Sequence, residues 1–192
     1  ELAQPIVELP PLPDEIDGYK TVTFDKLASF AYEVPLDPVT NKVELAKLNA
    51  QIPEGIKSYE AAAIMLKGMT VEYLLERLFK INNSHTVLFH AIAGGVGLIA
   101  CQWLKNLGAR VIGTAGSSEK AALAKKYGCD EVILYKDKNF VKEVNDITNG
   151  NGVDVVYDGV GKDTAILGLD CLKPLGTMVV FGNSSGNCPP ID

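Results

Sequence analysis

From about residue 86 onward, short apolar runs rich in β-branched residues alternate five times with longer amphipathic stretches. The runs predict strands near 86–90, 110–114, 131–135, 153–157 and 177–181. Between the first two, Val96, Ile99, Ala100, Trp103, Leu104 and Leu107 recur at helical spacing, which predicts a helix burying one face, Trp103 included, on the sheet. Gly108, Gly128 and Gly150 fall where left-handed helix ends belong. Strand and helix alternating in this way predict an α/β fold, a Rossmann-type doubly wound parallel sheet.

The first part of the chain reads differently. Seven of the ten prolines lie in residues 1–53, and proline removes ladder donors and breaks helices. Short alternating runs, Lys20 to Phe24 and Ala28 to Val34, read as strands of a β-rich domain. Ser58 is placed to cap a helix, with Leu66 to Lys80 continuing helically after a break at Gly68. The expected division is therefore 1–55, a Pro-rich β remnant; 56–82, a helical connector; and 83–192, the α/β domain.

Composition narrows the function classes. A net charge of -6 over 192 residues argues against electrostatic attraction to nucleic acid or an anionic membrane. Thr86 to Leu104 carries no Asp, Glu, Lys or Arg, but Gly94, Gly95 and Gly97 interrupt it, so a strand, a turn and a helix explain it better than a membrane span. Cys101, Cys129, Cys171 and Cys188 are scattered with no CxxC pair, which predicts free thiols, no zinc site and a reducing, cytoplasmic compartment. The chain opens on Glu1 with no secretion signal and reads as part of a longer protein.

The strongest chemical signal is Ala91-Ile92-Ala93-Gly94-Gly95-Val96-Gly97 between a strand and a helix. Gly94 is expected to let the backbone approach a pyrophosphate, and Gly97 to let helix and strand pack closely. The helix start supplies free N–H groups to the diphosphate. Ile92 stands where the usual GxGxxG pattern has its first glycine. A methyltransferase glycine turn is the rival, but such a site wants an acid after the second strand.

That position reads Gly113-Thr114-Ala115-Gly116-Ser117-Ser118-Glu119-Lys120, with no carboxylate between Gly113 and Ser118 for a ribose 2′-hydroxyl. Ser117 and Ser118 can donate hydrogen bonds and Lys120 can pair with a 2′-phosphate, so the expected cofactor is NADPH. His90 and Asp158 end the first and fourth strands. Packing or support is expected of His90, and loop positioning of Asp158, in preference to proton transfer.

Five pieces together resemble the zinc-independent quinone oxidoreductases of the medium-chain dehydrogenase/reductase superfamily. They are Ile52 to Ile56, Leu66 to Thr70, Phe89 to Gly97, Tyr157 to Thr164 and Phe181 to Gly186. The resemblance implies that Gly94, Gly95, Val96 and Gly97 hold the pyrophosphate, that Lys120 and Tyr135 reach the 2′-phosphate, and that Thr70, Phe181, Asn183 and Ser184 lie toward the nicotinamide. It further implies a homodimeric parent that reduces a small-molecule quinone without metal.

Departures from the family bear on what this chain does alone. The chaperonin-10-like catalytic domain is represented at most by residues 1–55, residues 1–17 match nothing recognisable, and Leu36 to Ala46 reads as an extra stretch. The sheet is expected to lack its sixth strand. No catalytic acid or base can be named. An enone or alkenal reductase of the same superfamily shares nearly every motif, and a nucleotide-binding protein without turnover is the alternative of another class.

Overall fold

The computed structural model describes residues 55–190, and the chain divides into two compact units between Glu72 and Tyr73. The strands expected at Lys20 to Phe24 and Ala28 to Val34 lie outside the described residues. In the first unit, helix α1 runs Ser58–Glu72 without the break expected at Gly68. A glycine inside a helix costs only about 1 kcal/mol, which the rest of the helix offsets.

The second unit opens on a π-helical turn, Tyr73–Leu78, in place of the expected continuous helix. A wide turn releases carbonyls from the regular ladder, and the Tyr157 hydroxyl donates to the Leu74 carbonyl at 2.8 Å. Five parallel strands follow: β1 Thr86–Phe89, β2 Arg110–Ala115, β3 Glu131–Leu134, β4 Val153–Asp158 and β5 Leu172–Val180. Their order is β3-β2-β1-β4-β5, which establishes the doubly wound sheet. The connecting helices are α2 Gly95–Asn106, α3 Ser118–Lys126, α4 Phe140–Ile147 and α5 Ala165–Leu169.

Central strands have no solvent face, so they read as continuous apolar runs. All six residues of β4 are buried, and so are the last five of β2. On one face Leu88, Ile112, Ile133 and Val156 join Phe140 and Val144 of α4 in a buried cluster. The face of α2 that is buried carries Gly97, Ala100, Cys101 and Leu104, while Trp103 is only half-buried, so the expected stripe is turned by about one residue. Small residues let this helix lie close to the sheet, and the larger Val96, Ile99 and Trp103 flank the contact.

The helix ends match the glycine signals. Gly108 and Gly128 adopt φ of 78° and 109°, with Ala109 N–H reaching Leu104 and Cys129 N–H reaching Ala124, both at 3.1 Å. After α4 the left-handed turn takes two residues, Asn149 and Gly150.

Strand β5 starts five residues before the expected 177. Leu172 pairs with Val153, then the register shifts so that Thr177 pairs with Val155. Pro174, a fully exposed Leu175 at φ 65° and Gly176 fill this bulge. Turn residues hid a strand that continues on both sides of a bulge. Asp154, next to the shift, ties the area together by accepting the Thr86 N–H at 2.8 Å and pairing with Lys173.

Candidate functional site

In an all-parallel sheet every strand ends at the same edge, and a crevice opens where the connections diverge to the two faces. Here that point lies between β1 and β4. The chain leaving β1 builds the first wall. His90 N–H donates to the Tyr157 carbonyl at 2.9 Å, extending the β1–β4 pairing, and Ile92 N–H donates to the Thr114 carbonyl at 3.1 Å. Between them Ala91 takes a left-handed φ of 53°, and its carbonyl accepts the Gly94 N–H at 2.8 Å.

Ile92, at the position of the missing first glycine, is fully buried. Two other glycines make room for it. A Cβ on Gly97 would lie 2.3 Å from the Ile92 carbonyl oxygen, which gives Gly97 the packing role expected of it. A Cβ on Gly113 would lie 2.4 Å from Ile92 Cγ2, so this strand glycine, not singled out from sequence, is needed as well.

Helix α2 begins at Gly95 with Gly94 as its cap, no side-chain capping bond and no acid in its first turn. Helices α3 and α4 differ, since Ser117 and Asn139 accept from Lys120 N–H and Lys142 N–H, and Glu119 and Glu143 stand in their first turns. The first-turn amides of α2 therefore have no side-chain acceptor, and the helix dipole favours an anion there. A side chain at Gly94 would press on the Ala91 carbonyl oxygen, 3.1 Å from a Cβ.

The second cluster follows β2 and β3. Ser117 caps α3 across 3.4 Å, and its hydroxyl also bonds the Glu119 carboxylate, which holds that carboxyl below the usual range. This serine, expected as a free donor, is thus partly engaged by its own helix. Ser118 and Lys120 are exposed. The half-exposed Tyr135 lies over Gly116, its hydroxyl 3.1 Å from where a Cβ would stand, so Gly116 leaves the space that the tyrosine covers.

The third cluster joins the loops after β4 and β5. Asp158 is fully buried; its Oδ1 accepts Val160 N–H at 2.6 Å and Gly161 N–H at 3.0 Å, and its Oδ2 accepts the Thr164 hydroxyl at 2.7 Å. These bonds give it the positioning role expected. Phe181 lies over Gly159 and packs on Phe89 with ring centroids 5.7 Å apart. Ser185 links the two loops, accepting Asp163 N–H at 3.1 Å and donating to the Val160 carbonyl at 2.9 Å. Asn183 and Ser184 are exposed beside them, with Asn183 Nδ2 donating to Asn187.

Thr70 belongs to the first unit, where its hydroxyl donates to the Leu66 carbonyl at 2.9 Å. His90 is buried, with Nδ1 3.1 Å from Thr114 Oγ1. Burial pushes its pKa down to about 4 against the opposing charge of Asp158, so the ring is neutral near pH 7. It supports the loop, as expected. Among the described residues no group of three or more His, Cys, Asp or Glu side chains could hold a metal ion, and no helix is long and apolar enough to cross a membrane.

Similarity to known proteins agrees with this geometry. A quinone oxidoreductase of Pseudomonas aeruginosa is 51% identical over 135 residues, 70% of this chain and 42% of that protein. A 2-haloacrylate reductase of a Burkholderia species is 49% identical over 130 residues, 68% of this chain and 39% of that protein. The crystal structure of Escherichia coli quinone oxidoreductase complexed with NADPH superposes with a TM-score of 0.72 at 50% identity, covering 77% of this chain and 45% of that one. The chain spans about two fifths of the length of these curated relatives. The sequence pattern of the family described as zinc-binding dehydrogenase matches residues 95–192, half of the chain, which therefore belongs to that family.

Proposed function

We propose that this chain holds NADPH for a reductase whose acceptor is a small-molecule quinone. The observation that carries the reading is the uncapped start of α2 at the β1/β4 crevice, reached by a loop where a Cβ on Gly94 would press on the Ala91 carbonyl and one on Gly97 would strike the Ile92 backbone. The NADPH-bound Escherichia coli relative supports it. Gly94, Gly95, Val96 and Gly97 would offer the pyrophosphate backbone amides. Ser117, Ser118, Lys120 and Tyr135 would meet the 2′-phosphate, and Phe181, Asn183 and Ser184 would lie toward the nicotinamide.

Bound NADPH would supply the hydride that reduces the acceptor. The protein's part is to bind, orient and exclude water. We read residues 83–192 as the cofactor domain, 56–82 as the connector and 1–55 as what remains of the acceptor-binding domain. The parent is read as a cytoplasmic homodimer, its free buried thiols fitting a reducing compartment. An electrophilic quinone needs no Lewis acid, and reduction is expected without added metal. The likeness to a 2-haloacrylate reductase favours activated alkenes as the second reading.

NADPH oxidation by 1,4-benzoquinone and by 2-chloroacrylate, each with a chelator present, tests the choice. The parent protein is expected to turn over the quinone undiminished by the chelator. Turnover of the alkene alone, or loss of activity to the chelator, contradicts the proposal. Lys120→Ala is expected to weaken NADPH roughly tenfold to a hundredfold and to leave NADH nearly unchanged. Equal losses for both dinucleotides would remove Lys120 from the 2′-phosphate.

A further inference from the structure

Thr114 and His90 stand on or beside neighbouring strands where the glycine loop leaves the sheet, at 2% and 1% exposure. The Thr114 hydroxyl accepts the Ala91 N–H at 3.2 Å. The carbonyl of the same residue accepts the Ile92 N–H at 3.1 Å. One residue of β2 thus holds two successive amides of the loop, on either side of an alanine whose φ of 53° disfavours any residue with a Cβ. A conformation of that kind persists only where the surroundings over-determine it.

The hydroxyl has one hydrogen and two lone pairs, and the Ala91 amide takes a lone pair. His90 Nδ1, 3.1 Å away, fixes where the rest of the hydroxyl points. The imidazole is itself immobilised. Its backbone N–H is bonded to Tyr157, its ring meets Phe140 edge-on at 4.9 Å, and its Nε2 is buried without a partner. Thr114 is therefore the ring's hydrogen-bonding partner among the described residues.

We propose that Thr114 is a positioning residue for dinucleotide binding, with His90 orienting its hydroxyl, and that together they hold the left-handed turn that aims the loop amides at the pyrophosphate. This inference rests on the dinucleotide reading above. Valine has the shape of threonine without the hydroxyl, so Thr114→Val frees the Ala91 amide while keeping the packing. The turn then relaxes toward negative φ, and the amides beyond it lose their aim.

Calorimetric titration with NADPH, NADH and adenosine 2′-monophosphate tests this, because the last ligand has the adenosine end but no pyrophosphate. Thr114→Val is expected to weaken both dinucleotides roughly tenfold and adenosine 2′-monophosphate by less than about twofold. Thr114→Ser keeps the hydroxyl and is expected to restore binding. Unchanged dinucleotide affinity, or an equal loss for adenosine 2′-monophosphate, overturns the proposal. Should Thr114→Val fail to fold, His90→Leu decides: roughly threefold weaker binding of both dinucleotides supports it, and no loss overturns it. A wild-type chain that binds neither dinucleotide would instead overturn the reading beneath.

Discussion

Gly97→Ala is expected to lower stability by about 3 kcal/mol and the melting temperature by roughly 6–12 °C, the upper end of the cost of forcing atoms into a packed site. The added methyl would meet the carbonyl oxygen, carbonyl carbon and Cα of Ile92 at 2.3, 2.5 and 2.7 Å. These are backbone atoms, so no rotamer change relieves the clash. Strand β1 and helix α2 must separate, and the loop between them loses its shape. Dinucleotide binding is expected to be lost with it. Gly150→Ala is the comparison, since nothing lies within 4 Å of its Cβ and only its φ of 77° is at stake. A loss from Gly97→Ala no larger than the Gly150→Ala loss, measured by urea denaturation, would contradict the close packing of loop on helix.

Acidification is expected to remove about 3 kcal/mol of stability through His90 alone. Its folded pKa of about 4 lies below the ordinary value of 6.5, chiefly because burial disfavours the imidazolium. Between these two values the unfolded chain binds a proton that the folded chain refuses. The contribution is therefore complete above pH 6.5 and is lost as pH falls toward 4, at roughly 1.4 kcal/mol for each pH unit. Between pH 6.5 and 5 most carboxylates remain ionised, so the loss there, about 2 kcal/mol, belongs mainly to histidine. Urea melts of the wild type and His90→Gln across this range check it. The variant should lose the slope, and an unchanged slope would place the titrating group elsewhere.

The parts of this fold that were legible in the sequence are those fixed by neighbours along the chain. Alternating apolar runs marked five strands, and glycine signals marked the ends of α2 and α3, because period and backbone freedom are local properties. Gly97 was legible for the same reason, lying five residues from the Ile92 it packs against. The β5 bulge was not, since Pro174 and Gly176 carry the same turn signal whether the strand stops or resumes.

Contacts across long sequence separations explain the other misses. Gly113 is needed only because Ile92, in the loop after β1, fills its face, and the Tyr157 hydroxyl reaches a carbonyl 83 residues away. The buried stripe on α2 was misplaced by about one residue because close approach to the sheet selects Gly97, Ala100 and Cys101 over larger neighbours. The capping engagement of Ser117 was readable in principle, for a serine three residues before Lys120 at a helix start is an ordinary N-cap.

Titration of NADPH into the wild-type chain and into Gly94→Val, with circular dichroism of both, decides whether the glycine loop holds the pyrophosphate. The branched side chain would stand where the backbone must approach phosphate, beside an Ala91 carbonyl already 3.1 Å from a Cβ at Gly94. Gly94 is exposed, so the fold should survive. Saturable binding to the wild type and severe loss in the variant, with near-identical spectra, are expected if the loop amides hold the pyrophosphate. Equal binding by the two proteins would contradict that role.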